Sequence, residues 1–163
     1  MLFYIQQPFH LELPKLEGTW HILATNFPMW LKGNRTQPTL NYSSTTHKGQ
    51  KVLLDQVKFL KNGKPKTITG YDYFEDTSHT KFTWQGKGLL SLFKSRWHIA
   101  LMSKNHEWAV IIFQKTLFTP AGIDIISKSP DLDARLLNKI IDLIVRKGWL
   151  KDSTDLPILS QSE

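Results

Sequence analysis

Only one stretch of this chain reads as a helix, and it comes near the end. Ser129 offers an N-cap, Pro130 suits the first helical position, and Asp131 and Asp133 place negative charge where the helix dipole favours it. Leu132, Leu136, Leu137, Ile140, Ile141 and Ile144 then fall on one stripe, and Arg146, Lys147 and Gly148 supply the stop. This spacing predicts a helix over 129–148. Upstream of it the chain is a series of short β-type runs. A single helix covers one face of a sheet at most, so the strands must hide their remaining apolar surface by closing on themselves.

Turn residues divide the upstream chain into eight expected strands near 18–25, 38–44, 51–60, 65–73, 80–85, 95–103, 107–115 and 122–128. Asn62-Gly63, flanked by Lys61 and Lys64, is a two-residue hairpin signal. Pro8 and Pro14 keep residues 1–16 from forming a regular helix or a central strand, leaving an extended lead-in. Pro28, Gly33 and Pro38 punctuate a wide loop whose Phe27, Met29, Trp30 and Leu31 are too apolar for a plain solvated connection, so the loop reads as a lid. The expected architecture is all-β: an eight-stranded antiparallel up-and-down β-barrel with one C-terminal α-helix packed outside. It forms a single domain, with a lead-in over 1–16, the barrel over 17–128, the helix over 129–148 and a tail over 149–163.

A net charge of +7 draws phosphates, acidic membranes or anionic ligands, and its bland reading is a soluble surface. No apolar run approaches the ~18 residues of a membrane-spanning helix. Met1 to Gln7 lack the basic and apolar regions of a secretory signal, so a cytoplasmic location is the expectation. Without cysteine there is no disulfide, thiolate zinc site, thiol catalysis or lipid-anchored thiol. The six histidines are scattered, and neither a His-Glu-x-x-His nor a Gly-x-Ser-x-Gly motif occurs. No metal and no cofactor are expected.

Gly18-Thr19-Trp20 resembles the first motif of the lipocalins, a branch of the calycin superfamily. Trp97-His98-Ile99-Ala100-Leu101-Met102 and Glu107-Trp108-Ala109-Val110-Ile111 resemble the family's sixth and seventh strands, and Ile123-Asp124-Ile125-Ile126-Ser127-Lys128-Ser129-Pro130-Asp131-Leu132 its eighth strand entering the helix. The chain is most similar to the bacterial outer-membrane and apolipoprotein D type. It departs from the pattern at Lys104-Asn105-His106, where the family has a Thr-Asp-Tyr turn, and at Lys128, where an arginine lies over the first-strand tryptophan. The resemblance implies a cup sealed at its base by Trp20 with Lys128, and a small molecule held in the middle.

Within such a cup, Trp30, Tyr71, Phe82, Trp84, Trp97 and Ile99 are the expected lining, with Arg96 as the candidate for an anionic head group. The expected function is to carry a hydrophobic or amphipathic small molecule, fatty-acid or lipid-like. One alternative is a barrel isomerase or cyclase in which His98 pairs with Asp124 or Asp72 for proton transfer. Another is a basic surface that binds nucleic acid or an acidic membrane. A hydrophobic ligand, and after it an acidic membrane surface, are the expected partners, and nucleic acid is not.

Overall fold

A computed structural model describes residues 1–161. Nine strands and three helices follow one another as β1 (Tyr4–Gln6), α1 (Leu13–Leu16), β2 (Gly18–Thr25), α2 (Pro28–Leu31), β3 (Arg35–His47), β4 (Gln50–Lys61), β5 (Lys64–Phe74), β6 (Lys81–Gly86), β7 (Lys94–Ser103), β8 (Trp108–Phe113), β9 (Gly122–Ser127) and α3 (Ala134–Arg146). From β2 to β9 each strand pairs antiparallel with the next, and β9 pairs back to β2, so eight strands close into a barrel. Closure leaves no free edge around the ring. Two hairpins turn on residues that both take positive φ, at Asn62-Gly63 (51° and 73°) and Lys48-Gly49 (50° and 74°). That geometry matches the right-handed twist of the strands it joins.

The lead-in is less plain than its prolines suggest. Residues 4–6 form a strand against the second half of β7, pairing Tyr4 with Ser103 and Ile5 with Met102. The reason is a length mismatch: β6 pairs with β7 only from Lys94 to His98, which frees the backbone groups beyond, and β1 takes them. Leu11, Leu13 and Leu16 then turn under the barrel and bury themselves in its interior cluster. Trp20 is fully buried at this closed end and its indole N–H donates to the Leu16 carbonyl at 2.7 Å. The Lys128 ammonium sits 5.2 Å from the Trp20 ring centre, over the indole as the sequence suggests.

The C-terminal helix starts at Ala134, later than the expected 129. Asp133 is its N-cap and accepts from the Leu136 N–H, whereas the Ser129 hydroxyl oxygen is spent on a local turn, accepting from the Asp131 N–H. Leu137, Ile140, Ile141 and Ile144 pack on Leu23, Leu101, Trp108, Val110, Ile123 and Ile125, the outward set of β2, β7, β8 and β9. The alternate residues of those strands face the barrel interior. A bulge in β2 between Ile22 and Ala24 shifts the alternation so that Thr25 points inward beside Asp124 of β9.

Candidate binding site inside the barrel

Every strand from β3 to β9 sends a large or polar side chain to the middle: Tyr42, Asp55, Asp72, Phe82, Trp97, Phe113 and Asp124 in strand order. Trp97 is the hub. Its ring stacks on Phe82 at 4.3 Å and on Tyr42 and Phe113 at 5.9 Å each, and its indole N–H donates to Asp72 Oδ1 at 2.8 Å. Gly70, opposite Asp55 on β5, leaves the space that the Trp84 indole fills; a Cβ there would lie 2.4 Å from Trp84 Nε1.

Three carboxyls are buried in this wall, and burial sets their charge. Asp55 and Asp72 stand on one face of adjacent strands and hydrogen-bond to each other. Burial raises both pKa values, that of Asp72 to about 7, and the neighbouring Asp72 raises Asp55 further. Bonds from the Trp97 indole and from Asp55 pull Asp72 back down. Asp55 Oδ1 and Asp72 Oδ2 are buried and have no hydrogen-bond partner. Asp124 is pushed up to about 7 by burial, against a hydrogen bond from Thr25 that lowers it, and its Oδ1 is left without a donor. The Tyr42 phenol is raised well above its ordinary value, first by burial and then by the charges of Asp55, Asp72 and Asp124. Tyr42 therefore lies within electrostatic reach of all three carboxyls. Among the described residues no lysine or arginine is buried, and no group of His, Cys, Asp and Glu is gathered closely enough to hold a metal ion.

The open end is roofed by the apolar loop. Trp30, on α2, is buried and meets Phe59 edge-on at 5.3 Å, while Phe27 meets Phe113 edge-on at 5.1 Å. Gly122 admits this roof, because a Cβ there would lie 2.1 Å from Phe27 Cζ.

Of the residues chosen from sequence, the structure brings Phe82, Trp97 and Ile99 together inside, with Trp84 at the same wall and Trp30 above. Two are placed elsewhere. Tyr71 lies on the outer face, stacked on His47 at 4.0 Å, because the inward set of β5 is Ile68, Gly70, Asp72 and Phe74. Arg96 is exposed on the outer wall and pairs with Glu75 at 3.4 Å. His98 also faces outward, in a groove of about 550 Å³ with Gln7, Lys81 and Gln114; burial and Lys81 lower its pKa. It is on the opposite side of the barrel wall from Asp72 and Asp124, so the expected His98–Asp124 proton pair does not form. Reasoning from sequence missed Tyr42 and Asp55 altogether.

Insecticyanin from the tobacco hornworm Manduca sexta superposes with a TM-score of 0.69 at 13% identity, covering 100% of this chain and 91% of that one. Apocrustacyanin C2 gives 0.66 at 16% identity, over 91% of this chain and 79% of that one. The siderocalin Ex-FABP gives 0.65 at 13% identity, over 91% and 96% respectively. The fold is that of the lipocalins. No protein-family model matches the sequence, and no curated protein matches it. The lipocalin fold of this chain therefore rests on backbone architecture, together with the Gly18-Thr19-Trp20 base that the sequence displays.

Proposed function

We propose that this lipocalin-fold barrel binds and carries a hydrophobic or amphipathic small molecule. The observation that carries the reading is the aromatic interior of the closed barrel, where Trp97, Phe82, Tyr42 and Phe113 pack on one another beneath an apolar roof, so that a ligand takes its place by moving these rings apart. Apolar area withdrawn from water contributes about 25 cal/mol per Å², so an enclosed ring system or acyl chain gains several kcal/mol before ordering costs. The siderocalin among the similar structures is described as acting through dual ligand specificities, which suits a barrel that accepts more than one ligand. Within the lipocalins, the motifs favour the bacterial outer-membrane and apolipoprotein D type.

The wall also restricts the ligand's polar groups. An anionic head, lipid-like or otherwise, belongs at the mouth beside Lys87 and Lys94, since the described interior holds three carboxyls and no lysine or arginine. Just below the roof, beside Thr25, Asp124 Oδ1 accepts a hydroxyl or amine. Roof movement at Phe27 and Trp30 admits the ligand.

Tryptophan fluorescence and thermal stability, followed across a panel of ring-bearing and acyl ligands, test the reading. Saturable quenching with a raised melting temperature is the expected result, and Trp97→Phe weakens the quenching. A flat response across the panel contradicts it.

A second reading follows from the buried carboxyls held near neutrality, a property of acid–base catalysts. In it the Asp55–Asp72 pair moves a proton on an apolar substrate, without His98. Turnover abolished by Asp72→Asn with ligand binding retained distinguishes it from carriage.

A further inference from the structure

The loops at the open end of the barrel are apolar at their tips and carry no acid. Four stretches build this end: 26–38, 57–68, 85–96 and 113–122. None contains Asp, Glu, His or Tyr, and every ionisable side chain in them is a lysine or arginine, among them Lys32, Lys61, Lys64, Lys87, Lys94 and Lys115. At the other end the base segments carry Glu12, Glu17, Asp76 and Glu107. Between the mouth lysines stand bare hydrocarbons: Leu89 is 97% exposed, Leu92 88%, Leu117 95% and Phe118 73%. Phe93 and Phe118 meet edge-on at 5.3 Å, which joins the β6–β7 and β8–β9 loops into one surface.

Leucine and phenylalanine held in water at the tip of a loop are costly unless something covers them. The roof does not, since its own Trp30 is turned inward and buried. A second copy docking mouth to mouth would bring two wholly cationic rims together. A polyanion such as nucleic acid would satisfy the lysines yet leave the leucines wet. Only a surface with negative groups outside and hydrocarbon just beneath matches both properties at the same depth.

We propose that the mouth of the barrel docks on an anionic lipid bilayer, with Leu89, Leu92, Leu117 and Phe118 inserted among the headgroups and the surrounding lysines set against lipid phosphates or carboxylates. Docked in this way, the barrel opens toward the hydrocarbon, so an apolar ligand passes between bilayer and interior without crossing water.

Vesicle flotation of the full chain tests this, using phosphatidylcholine alone and phosphatidylcholine with about a third phosphatidylserine. The protein is expected to float with the mixed vesicles and not with the neutral ones, and the association to weaken at least about tenfold in high salt. Leu89→Ser with Leu117→Ser should lower it at least about tenfold, with an unchanged thermal melt because both side chains are solvent-exposed. Phe3→Ser, an exposed apolar residue at the far end, should leave it intact. The proposal is overturned by absence of flotation, by equal flotation with both vesicles, or by loop variants that bind like the parent. It is also overturned by loss on Phe3→Ser equal to that of the loop pair, and by nucleic-acid binding or mouth-dependent dimerisation in place of vesicle binding. Failure here leaves the interior ligand reading standing, since that is read by quenching in solution.

Discussion

Asp72 is held in the barrel by an indole and a second carboxyl, with no base beside it. Its folded pKa of about 7 lies above the ~3.9 of an unfolded aspartate, and Asp124 behaves alike. Between those two values the folded state binds more protons, so the stability these groups contribute is complete below the unfolded value. It is lost as pH rises through the folded one. Asp72→Asn keeps the acceptor for the Trp97 N–H and cannot ionise. It is therefore expected to match the parent near pH ~4 and to exceed it by about 1–3 kcal/mol near pH ~8, read by urea denaturation at the two values. An equal difference at both pH values contradicts this account of the pair. The same residue shows where sequence reading failed. In Tyr71-Asp72-Tyr73 the aromatics look like the inward set, but the inward neighbours two residues away are Gly70 and Phe74. The clue was present in Ile68 and Phe74 at the same parity as Asp72; a buried carboxylate is costly enough that alternation alone argues against it.

At the scale of elements the sequence was more legible, because strands and caps are set by local residues. The order of the eight barrel strands, the Asn62-Gly63 turn and the Trp20 base all stand where their residue types put them. What local pattern could not supply was pairing: β1 exists only because β7 outruns β6. The helix starts later than Ser129 because that hydroxyl is taken up by a local turn, accepting from the Asp131 N–H, and Asp133 caps the helix instead. Asp133→Ala should cost about 1 kcal/mol of stability, and Ser129→Ala much less, in paired denaturation curves. The roof has a more exacting contact at Gly122. Gly122→Ala forces a Cβ against the Phe27 ring, so about 1–3 kcal/mol of destabilisation is expected, with Trp30 shifted toward solvent in acrylamide quenching. A variant as stable as the parent with Trp30 still shielded would show that the roof adapts freely.

The loops of the barrel differ from end to end, with lysines and no acid in those around the mouth, Glu12, Glu17, Asp76 and Glu107 at the base, and aromatic rings meeting buried carboxyls between them. Charge class and fold class were both readable from composition and motif order, whereas the polarity of the barrel depends on which loops share an end, which only the folded topology reveals. The central claim is that the interior wall around Trp97 is where a ligand is held. Its most direct measurement is the NMR signal of the Trp97 indole N–H, hydrogen-bonded to Asp72, during titration with an apolar ligand that quenches fluorescence. The account predicts that this resonance shifts saturably while that of Trp149, beside the outer helix, stays fixed. Shifts confined to Trp149 and other outer-face residues, with the Trp97 signal unmoved, would contradict it.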